Sequence, residues 1–450
     1  MTTSLIILAA GKGTRMNSEL PKVLHPIAGE PMLIHAITAG ETLDPARTVV
    51  VAGHGAEAVT AAVHAHDATA KVVVQEEQLG TAHAVAQARA ALEGVGGTAI
   101  VLYGDTPFVS AETLARLTQA ARDHDVAVLG FEAADPGRYG RLVMAGDTLE
   151  RIVEYKDATE AERAITLCNS GVIACDAALL FDLIDAVGND NASGEYYLTD
   201  IIGLARARGL TATAVTCDEA ETLGVNSRAQ LAEAEAAFQA RARAALLEDG
   251  VTLQAPDTVF LARDTVIGRD AHVEPHVVFG PGVTVESGAT IRAFSHLEGC
   301  HVSRGATVGP YARLRPGAEL AENTRVGNFV EIKNATVAEG AKVNHLSYIG
   351  DAFVGARANI GAGTITCNYD GVMKHHTHIG ADAFIGSNTM LVAPVHVGAG
   401  AMTGSGSVIT SDVEDDALAL ARAPQVEKPG MARKLMDMLR AKKARSQRSS

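Results

Sequence analysis

Thr284-Val285-Glu286-Ser287-Gly288-Ala289-Thr290-Ile291-Arg292-Ala293-Phe294-Ser295-His296-Leu297 returns a large apolar residue at every sixth position, Val285, Ile291 and Leu297. Upstream the same step reaches Phe279, Val273 and Ile267; downstream, after one five-residue step, it resumes at Val302, Val308, Leu314, Leu320, Val326 and Ile332. It continues through Val337, Val343 and Ile349, then Val354 and Ile360, then Ile379, Ile385, Leu391 and Val397, fading at about Ile409. A period of six suits neither an amphipathic helix nor a hairpin sheet. It fits short parallel strands that stack coil upon coil. Small residues after the large one, as in Ile267-Gly268, Val308-Gly309, Ile349-Gly350 and Ile385-Gly386, let the chain turn between flat faces. The spacing predicts a parallel β-helix over residues 251–450. Its one long break, Gly361–His378, predicts a projecting loop able to reach a neighbouring subunit.

The 450 residues exceed one ordinary core, and a composition of 47% hydrophobic and 20% charged residues is that of a folded protein with two or three domains. A formal charge of −15 disfavours nucleic acid and anionic membranes as partners, so an anionic substrate must be held by local cations or by metal. The basic tail Arg433–Arg448 is a local exception and reads as a solvated end. Five cysteines, Cys168, Cys175, Cys217, Cys300 and Cys367, have no CxxC spacing, which points to a reduced, cytoplasmic protein. The apolar run Leu5–Ala10 is too short for a signal-peptide core, and no run long enough for a membrane span occurs.

Residues 1–226 alternate β-branched runs (Ser4–Ala10, Thr48–Ala52, Lys71–Gln75, Thr98–Tyr103, Val126–Phe131) with helical patterns such as Thr81–Leu92 and Ala111–Asp123. That alternation predicts a Rossmann-like α/β domain, a mostly parallel sheet covered on both faces with its site at the carboxyl ends of the strands. Gly11-Lys12-Gly13-Thr14-Arg15-Met16 follows the first strand, and its glycines would let backbone N–H groups approach phosphate, with Arg15 and Lys22 adding charge. The second central strand delivers Gly104-Asp105 to the same edge, where a carboxylate can hold Mg2+ against a nucleotide phosphate. A helix-capping role before Ser110 is the structural alternative for Asp105. Residues 227–250 form the connector, with Leu231, Ala234, Phe238, Ala242 and Leu246 at helical spacing as a packing stripe, and Gly250 ends it.

Leu8-Ala9-Ala10-Gly11-Lys12-Gly13-Thr14-Arg15-Met16 with Pro21-Lys22, the run Gln75–His83, Tyr103-Gly104-Asp105, Tyr139-Gly140-Arg141, Ile152-Val153-Glu154, Asn169-Ser170-Gly171 and Gly224-Val225-Asn226 together resemble the sugar-1-phosphate nucleotidyltransferases. The set is similar to the N-terminal half of the bifunctional enzymes that make UDP-N-acetylglucosamine. The resemblance implies that Leu8, Ala9, Gly11, Gly13, Tyr103 and Gly104 bind the substrates of uridylyl transfer. It further implies that Gln75, Gly80 and Thr81 read the uracil, Arg15 and Lys22 the triphosphate, and Gly140, Glu154 and Asn169 the sugar, while Asp105 and Asn226 hold the metal.

In the repeat half most polar residues point outward and need no function, but Arg315, Lys333, His345 and Tyr348 are grouped. Three hexads, about 18 residues, make one coil of a three-sided β-helix, and coils lie about 4.8 Å apart. Arg315 and Lys333 are one coil apart, and cations so close repel unless an anion sits with them. The five-residue step after Ile332 leaves the register of His345 open.

Arg313-Leu314-Arg315-Pro316-Gly317, the runs Gly327–Lys333 and His345–Tyr348, and Asn359–Gly371 resemble the glucosamine-1-phosphate N-acetyltransferases, a left-handed parallel β-helix family of homotrimers. Left-handedness and trimers are what the resemblance implies. It also implies that His345 is the general base, oriented by Glu331; that Arg315, Lys333, Lys374, Tyr348 and Asn359 bind the sugar phosphate; and that Ala362, Asn368, Tyr369, Ser387, Ser405 and Arg422 meet acetyl-CoA. The expected substrates are glucosamine 1-phosphate, N-acetylglucosamine 1-phosphate, UTP and acetyl-CoA. Two other readings compete: a nucleotidyltransferase with a purely structural or regulatory β-helix, and a non-catalytic scaffold with a nucleotide-sensing domain. The grouped cations and His345 argue against the first, and Asp105 with Asn226 against the second.

Overall fold

The computed structural model describes residues 2–447, so Arg448 of the basic tail lies outside the described residues. The chain divides into two compact units, Met1–Ala245 with Phe260–Arg263, and Leu246–Val259 with Asp264–Ser450.

The first unit is built on one sheet. Its strands lie in the order Ala212–Cys217, Val126–Glu132, Leu167–Asp176, Thr98–Tyr103, Thr3–Ala9, Arg47–Ala52, Lys71–Val74. Thr3–Ala9 is parallel to both neighbours, whereas Leu167–Asp176 runs antiparallel between Thr98–Tyr103 and Val126–Glu132. The first strand has no polar face because neither face meets water. Leu5, Ile7 and Ala9 enter one core, with Leu33 and Ile37 of the helix Met32–Glu41 and Leu114 and Leu117 of Ala111–Asp123. Ile6 and Leu8 enter the other, with Leu180 and Ile201 from the opposite layer. Period-two alternation therefore survives as a choice between two apolar layers.

The expected helix Thr81–Leu92 is shorter than its composition suggests. It stops at Ala86, and a 3-10 turn at Ala90–Leu92 follows. Tighter bonds from Gln87 N to Ala84 O (3.2 Å) and Ala88 N to Val85 O (3.0 Å) bring Ala88 and Leu92 into the core, so burial overrides helix propensity. The connector forms a helix, Arg228–Glu248. Leu231, Ala234 and Phe238 of its stripe pack on Ile27, Met32, Phe108 and Val225.

In the second unit every strand pairing is parallel apart from one isolated bridge, and every large residue of the hexad series is buried among the described residues. Thr284–Val285 pairs with residues 18 positions back (Val266–Ile267), and one coil later with residues 17 positions on (His301–Val302). The five-residue step thus shortens a corner and keeps the apolar side chain inward. The break expected over Gly361–His378 is narrower in the structure: Ile365–Cys367 still stacks as a strand between Tyr348 and Met390–Val392, and Thr377 and His378 re-enter beside Ala352 and Phe353, so only the chain between them projects, with Tyr369 and Lys374 forming an antiparallel bridge. Its tip is apolar and open, with Val372 88% and Met373 59% exposed. The tail forms a helix, Met431–Ser446. No helix among the described residues is long and apolar enough to cross a membrane.

Candidate active sites in the two units

The first site forms at the carboxyl edge of the sheet. A cavity of about 310 Å³ is lined by Leu8, Ala9, Gly11 and Lys22 from the first strand and its loop, by Gln75, Gly80 and Thr81, and by Tyr103 and Asp105. The glycine loop turns left-handed at Gly13 (φ 59°), and a Cβ there would lie 2.6 Å from the Cβ of Lys22. Any side chain at Gly13 would therefore push away the lysine. Arg15 stands exposed on the one-turn helix Thr14–Met16 and is not among the residues lining the cavity.

Asp105 is not a helix cap. Ser110 caps Ala111–Asp123, its Oγ accepting from Thr113 N at 3.1 Å. The Asp105 carboxylate instead pairs with the Lys22 ammonium, and Lys22 Nζ also donates to Asn226 Oδ1 at 3.0 Å. Asn226 is held at this edge because Val225 N donates to the Asp105 carbonyl at 2.9 Å. The two expected metal ligands, 121 residues apart in sequence, thus converge on one cation.

Gly140, Glu154 and Asn169 form a second group. A Cβ on Gly140 would lie 3.4 Å from Glu154 Oε1 and 3.6 Å from Asn169 Cβ. Glu154 accepts a hydrogen bond from Thr199 Oγ1 at 3.2 Å, and burial raises its carboxyl pKa above the ordinary range. Burial, then the charges of Asp105 and Glu154, push the Tyr103 phenol upward, so it is neutral and links the two groups. Sequence reasoning gave Arg141 no role of its own. It is fully buried, and its guanidinium donates to the carbonyls of Tyr139, Gly137 (3.2 Å) and Arg163 (3.2 Å), which shapes the loop presenting Gly140. Thr199 and His83 were also missed; the one precedes the helix Asp200–Ala207 and the other lies within Thr81–Ala86, and neither stands out until the fold sets it beside Glu154 or Gln75.

In the second unit, register sets Arg315 beside Lys333 and Lys333 beside Gly350. The anion that such stacking requires is Glu331, whose Oε1 accepts from Arg315 Nη1 at 2.9 Å, with Arg313 at 3.8 Å from its other oxygen. This corrects the expectation that Glu331 orients His345. Glu331 pairs with Tyr348, whereas His345 pairs with Asn328 on another strand. His345 Nδ1 lies 2.8 Å from Asn328 Oδ1. An amide oxygen only accepts, so Nδ1 carries the proton and Nε2 keeps the lone pair.

Gly350 leaves room for the Tyr348 hydroxyl and the Asn368 amide, and Asn368 Nδ2 bonds both Tyr348 Oη (3.4 Å) and the Asp351 carboxylate. Lys374 stands on the projecting loop, its ammonium 4.6 Å from the Tyr369 ring centroid. Asn359 pairs with Phe384, which sets Ala362, Ser387 and Ser405 one above another in successive coils. Arg422 Nη1 donates to the Ser405 carbonyl at 2.8 Å.

Fold and sites define a nucleotidyltransferase joined in one chain to a hexapeptide-repeat transferase. Residues 5–170 match the MobA-like NTP transferase domain, and residues 264–299 and 376–411 match the bacterial transferase hexapeptide (six repeats). "Bifunctional protein GlmU" of Roseobacter denitrificans is 71% identical over 450 residues, and that of Ruegeria pomeroyi 73%, each alignment covering 100% of both chains. The crystal structure of a UDP-glucose pyrophosphorylase complexed with UDP-glucose is 17% identical with a TM-score of 0.45, over 54% of this chain and 100% of that one. The chain belongs to the GlmU family of bifunctional uridylyltransferases and acetyltransferases.

Proposed function

We propose that the β-helix unit transfers the acetyl group of acetyl-CoA to glucosamine 1-phosphate, and that the first unit then couples the resulting N-acetylglucosamine 1-phosphate to UTP. The observation that carries this reading is the convergence of Lys22, Asp105 and Asn226 beside the cavity lined by Gln75, Gly80 and Thr81. Family membership supports both activities.

Acetylation requires a neutral amine. Nε2 of His345 takes one proton from the substrate ammonium, the neutral amine nitrogen bonds to the thioester carbonyl carbon, the C–S bond breaks, and the second proton lost from nitrogen passes to the departing sulfur, leaving the amide and CoA thiol. Arg313, Arg315 and Lys333 against the single carboxylate of Glu331 leave a net positive patch for the sugar phosphate, with Tyr348, Asn359 and Lys374 assigned to the same substrate. The column Ala362, Ser387 and Ser405, with Asn368, Tyr369 and Arg422, is assigned to acetyl-CoA.

Uridylyl transfer is displacement at the α-phosphorus. A phosphate oxygen of the sugar phosphate forms the new P–O bond, and the bond to pyrophosphate breaks. The chain's task is alignment and charge neutralisation. Glu154, Asn169 and Gly140 position the sugar, Gln75, Gly80 and Thr81 the base, and Arg15 and Lys22 the triphosphate. Asp105 and Asn226 fit Mg2+, since a carboxylate and an amide oxygen already meet at one cation. Mg2+ commonly takes one or two protein ligands and completes its shell with water and phosphate. When bound it supplies Lewis-acid neutralisation of phosphate charge.

We assign a homotrimer and a cytoplasmic location as well. The open apolar loop tip at Val372 and Met373 supports docking on another copy, and five free cysteines suit a reducing compartment. A monomeric mass in solution would overturn the first, and fractionation outside the cytoplasm the second. The decisive assay supplies purified chain with glucosamine 1-phosphate, acetyl-CoA, UTP and Mg2+, omitting each in turn. UDP-N-acetylglucosamine is expected only in the complete mixture; formation without acetyl-CoA would sink the paired activities.

A further inference from the structure

We propose that His83 is a positioning residue for base selection, locking the Gln75 amide so that only its oxygen faces the nucleotide base. This rests on the base-reading role of Gln75 proposed above.

Gln75 follows the strand Lys71–Val74, its N–H bonded to the Ala52 carbonyl at 2.8 Å, and its side chain is almost wholly buried. Its amide Nε2 lies 3.2 Å from the Gly80 carbonyl oxygen. A carbonyl can only accept, so the amide nitrogen, not its oxygen, must face Gly80. The same nitrogen lies 3.0 Å from His83 Nδ1. Both amide hydrogens are therefore committed, Nδ1 is the acceptor, and the imidazole carries its proton on Nε2.

Gln87 makes a competing claim on the ring, its Nε2 lying 3.3 Å from His83 Nε2 and 3.0 Å from the His83 carbonyl. Two nitrogens of a neutral imidazole cannot both accept. Gln87 is partly exposed and can turn its amide toward water, whereas the Gly80 carbonyl holds the Gln75 nitrogen in place, so Gln75 decides the tautomer.

The ring itself is anchored. His83 sits in the helix Thr81–Ala86, whose start is tied down by Ala82 N to the Tyr196 carbonyl (3.0 Å) and by Leu198 N to Thr81 Oγ1 (2.9 Å). Gly80 and Thr81 line the same cavity as Gln75, so one turn of chain presents the base pocket and holds the amide lock.

What remains of the Gln75 amide is an acceptor, Oε1. Uracil offers an N–H at N3 and pairs with it. Cytosine offers a lone pair at N3 and is repelled. A free amide could rotate by half a turn and donate to cytosine instead; His83 together with Gly80 removes that option.

The test is kcat/KM for UTP and for CTP in His83→Leu, His83→Ala, His83→Asn and Gln75→Ala, with acetylation as the control for an intact chain. His83→Leu, which excludes water from the amide, should lower the UTP/CTP ratio by about tenfold or more, mainly through KM. His83→Ala should act in the same direction. His83→Asn, whose carbonyl can accept where Nδ1 did, should restore most of the ratio, a rescue that a purely structural role would not give. An unchanged ratio in His83→Ala and His83→Leu while Gln75→Ala abolishes selectivity overturns the lock alone. No change in any variant, Gln75→Ala included, overturns the base-reading role beneath it. Should His83→Leu fail to fold, the Ala and Asn pair decides by the same comparison.

Discussion

Asp105→Ala is expected to lower uridylyl transfer by at least about 10³-fold, or about 4 kcal/mol of transition-state stabilisation, and to leave acetylation at its normal rate. Two consequences combine. The substitution removes the only carboxylate among the proposed Mg2+ ligands, and it frees the Lys22 ammonium that Asp105 now holds. A freed lysine still attracts triphosphate, so the loss should fall on kcat far more than on the KM for UTP. Asp105→Asn separates the charge from the shape: it keeps a donor oxygen but loses the anion, and should be nearly as inactive. Pyrophosphate release measured across a Mg2+ titration reads the outcome. Near-normal release at ordinary Mg2+ would falsify the metal role. Unchanged acetylation in the same preparation shows only that the other unit, with His345, Arg315 and Lys333, is intact; an unchanged thermal melting profile is what excludes misfolding around Asp105.

His345→Ala should cut acetyl transfer by about 10²–10⁴-fold, the usual range for a general base, with uridylyl transfer intact. The residual rate should climb with pH as the substrate amine loses its proton in solution. Asn328 sharpens the test. Its amide oxygen sets the tautomer that leaves Nε2 basic, so Asn328→Leu should lose a smaller factor, with the pH profile shifted and KM for the sugar phosphate little changed. Near-normal acetylation by His345→Ala would sink the assignment. A silent Asn328→Leu would leave His345 as base and discard only its orienting partner.

Much of this was readable along the chain because it depends on local periodicity. A hexad residue is inward whatever lies on the next coil, so Val285, Ile291 and Leu297 declare the β-helix without knowledge of any contact. The apolar runs of the first unit declare a sheet buried on both faces for the same reason. Helix length was less legible. Thr81–Leu92 has good helix formers, yet the core takes Ala88 and Leu92 by breaking the helix after Ala86, and propensities of a few tenths of a kcal/mol per residue do not resist that.

Side-chain partners were legible only where register was simple. Arg315 beside Lys333 follows from an 18-residue coil. One shortened corner later, the count slips by one, which places Glu331 beside Tyr348 and His345 beside Asn328. The corner absorbs the missing residue, so Ile332 still stacks on Ile349 and Val326 on Val343 with their side chains inward, and what changes is the count needed to find a neighbour one coil away.

By itself, the sequence determined the two-part architecture, the edge at which the glycine loop and Gly104-Asp105 meet, and the loop that interrupts the repeat, all properties of spacing along a chain. Tertiary structure alone decided that Lys22 joins Asp105 to Asn226, that Asn328 rather than Glu331 holds His345, and that His83 and Gly80 commit both hydrogens of Gln75. Hydrogen bonds depend on distances of about 3 Å between atoms that may be a hundred residues apart, and no periodicity carries that information.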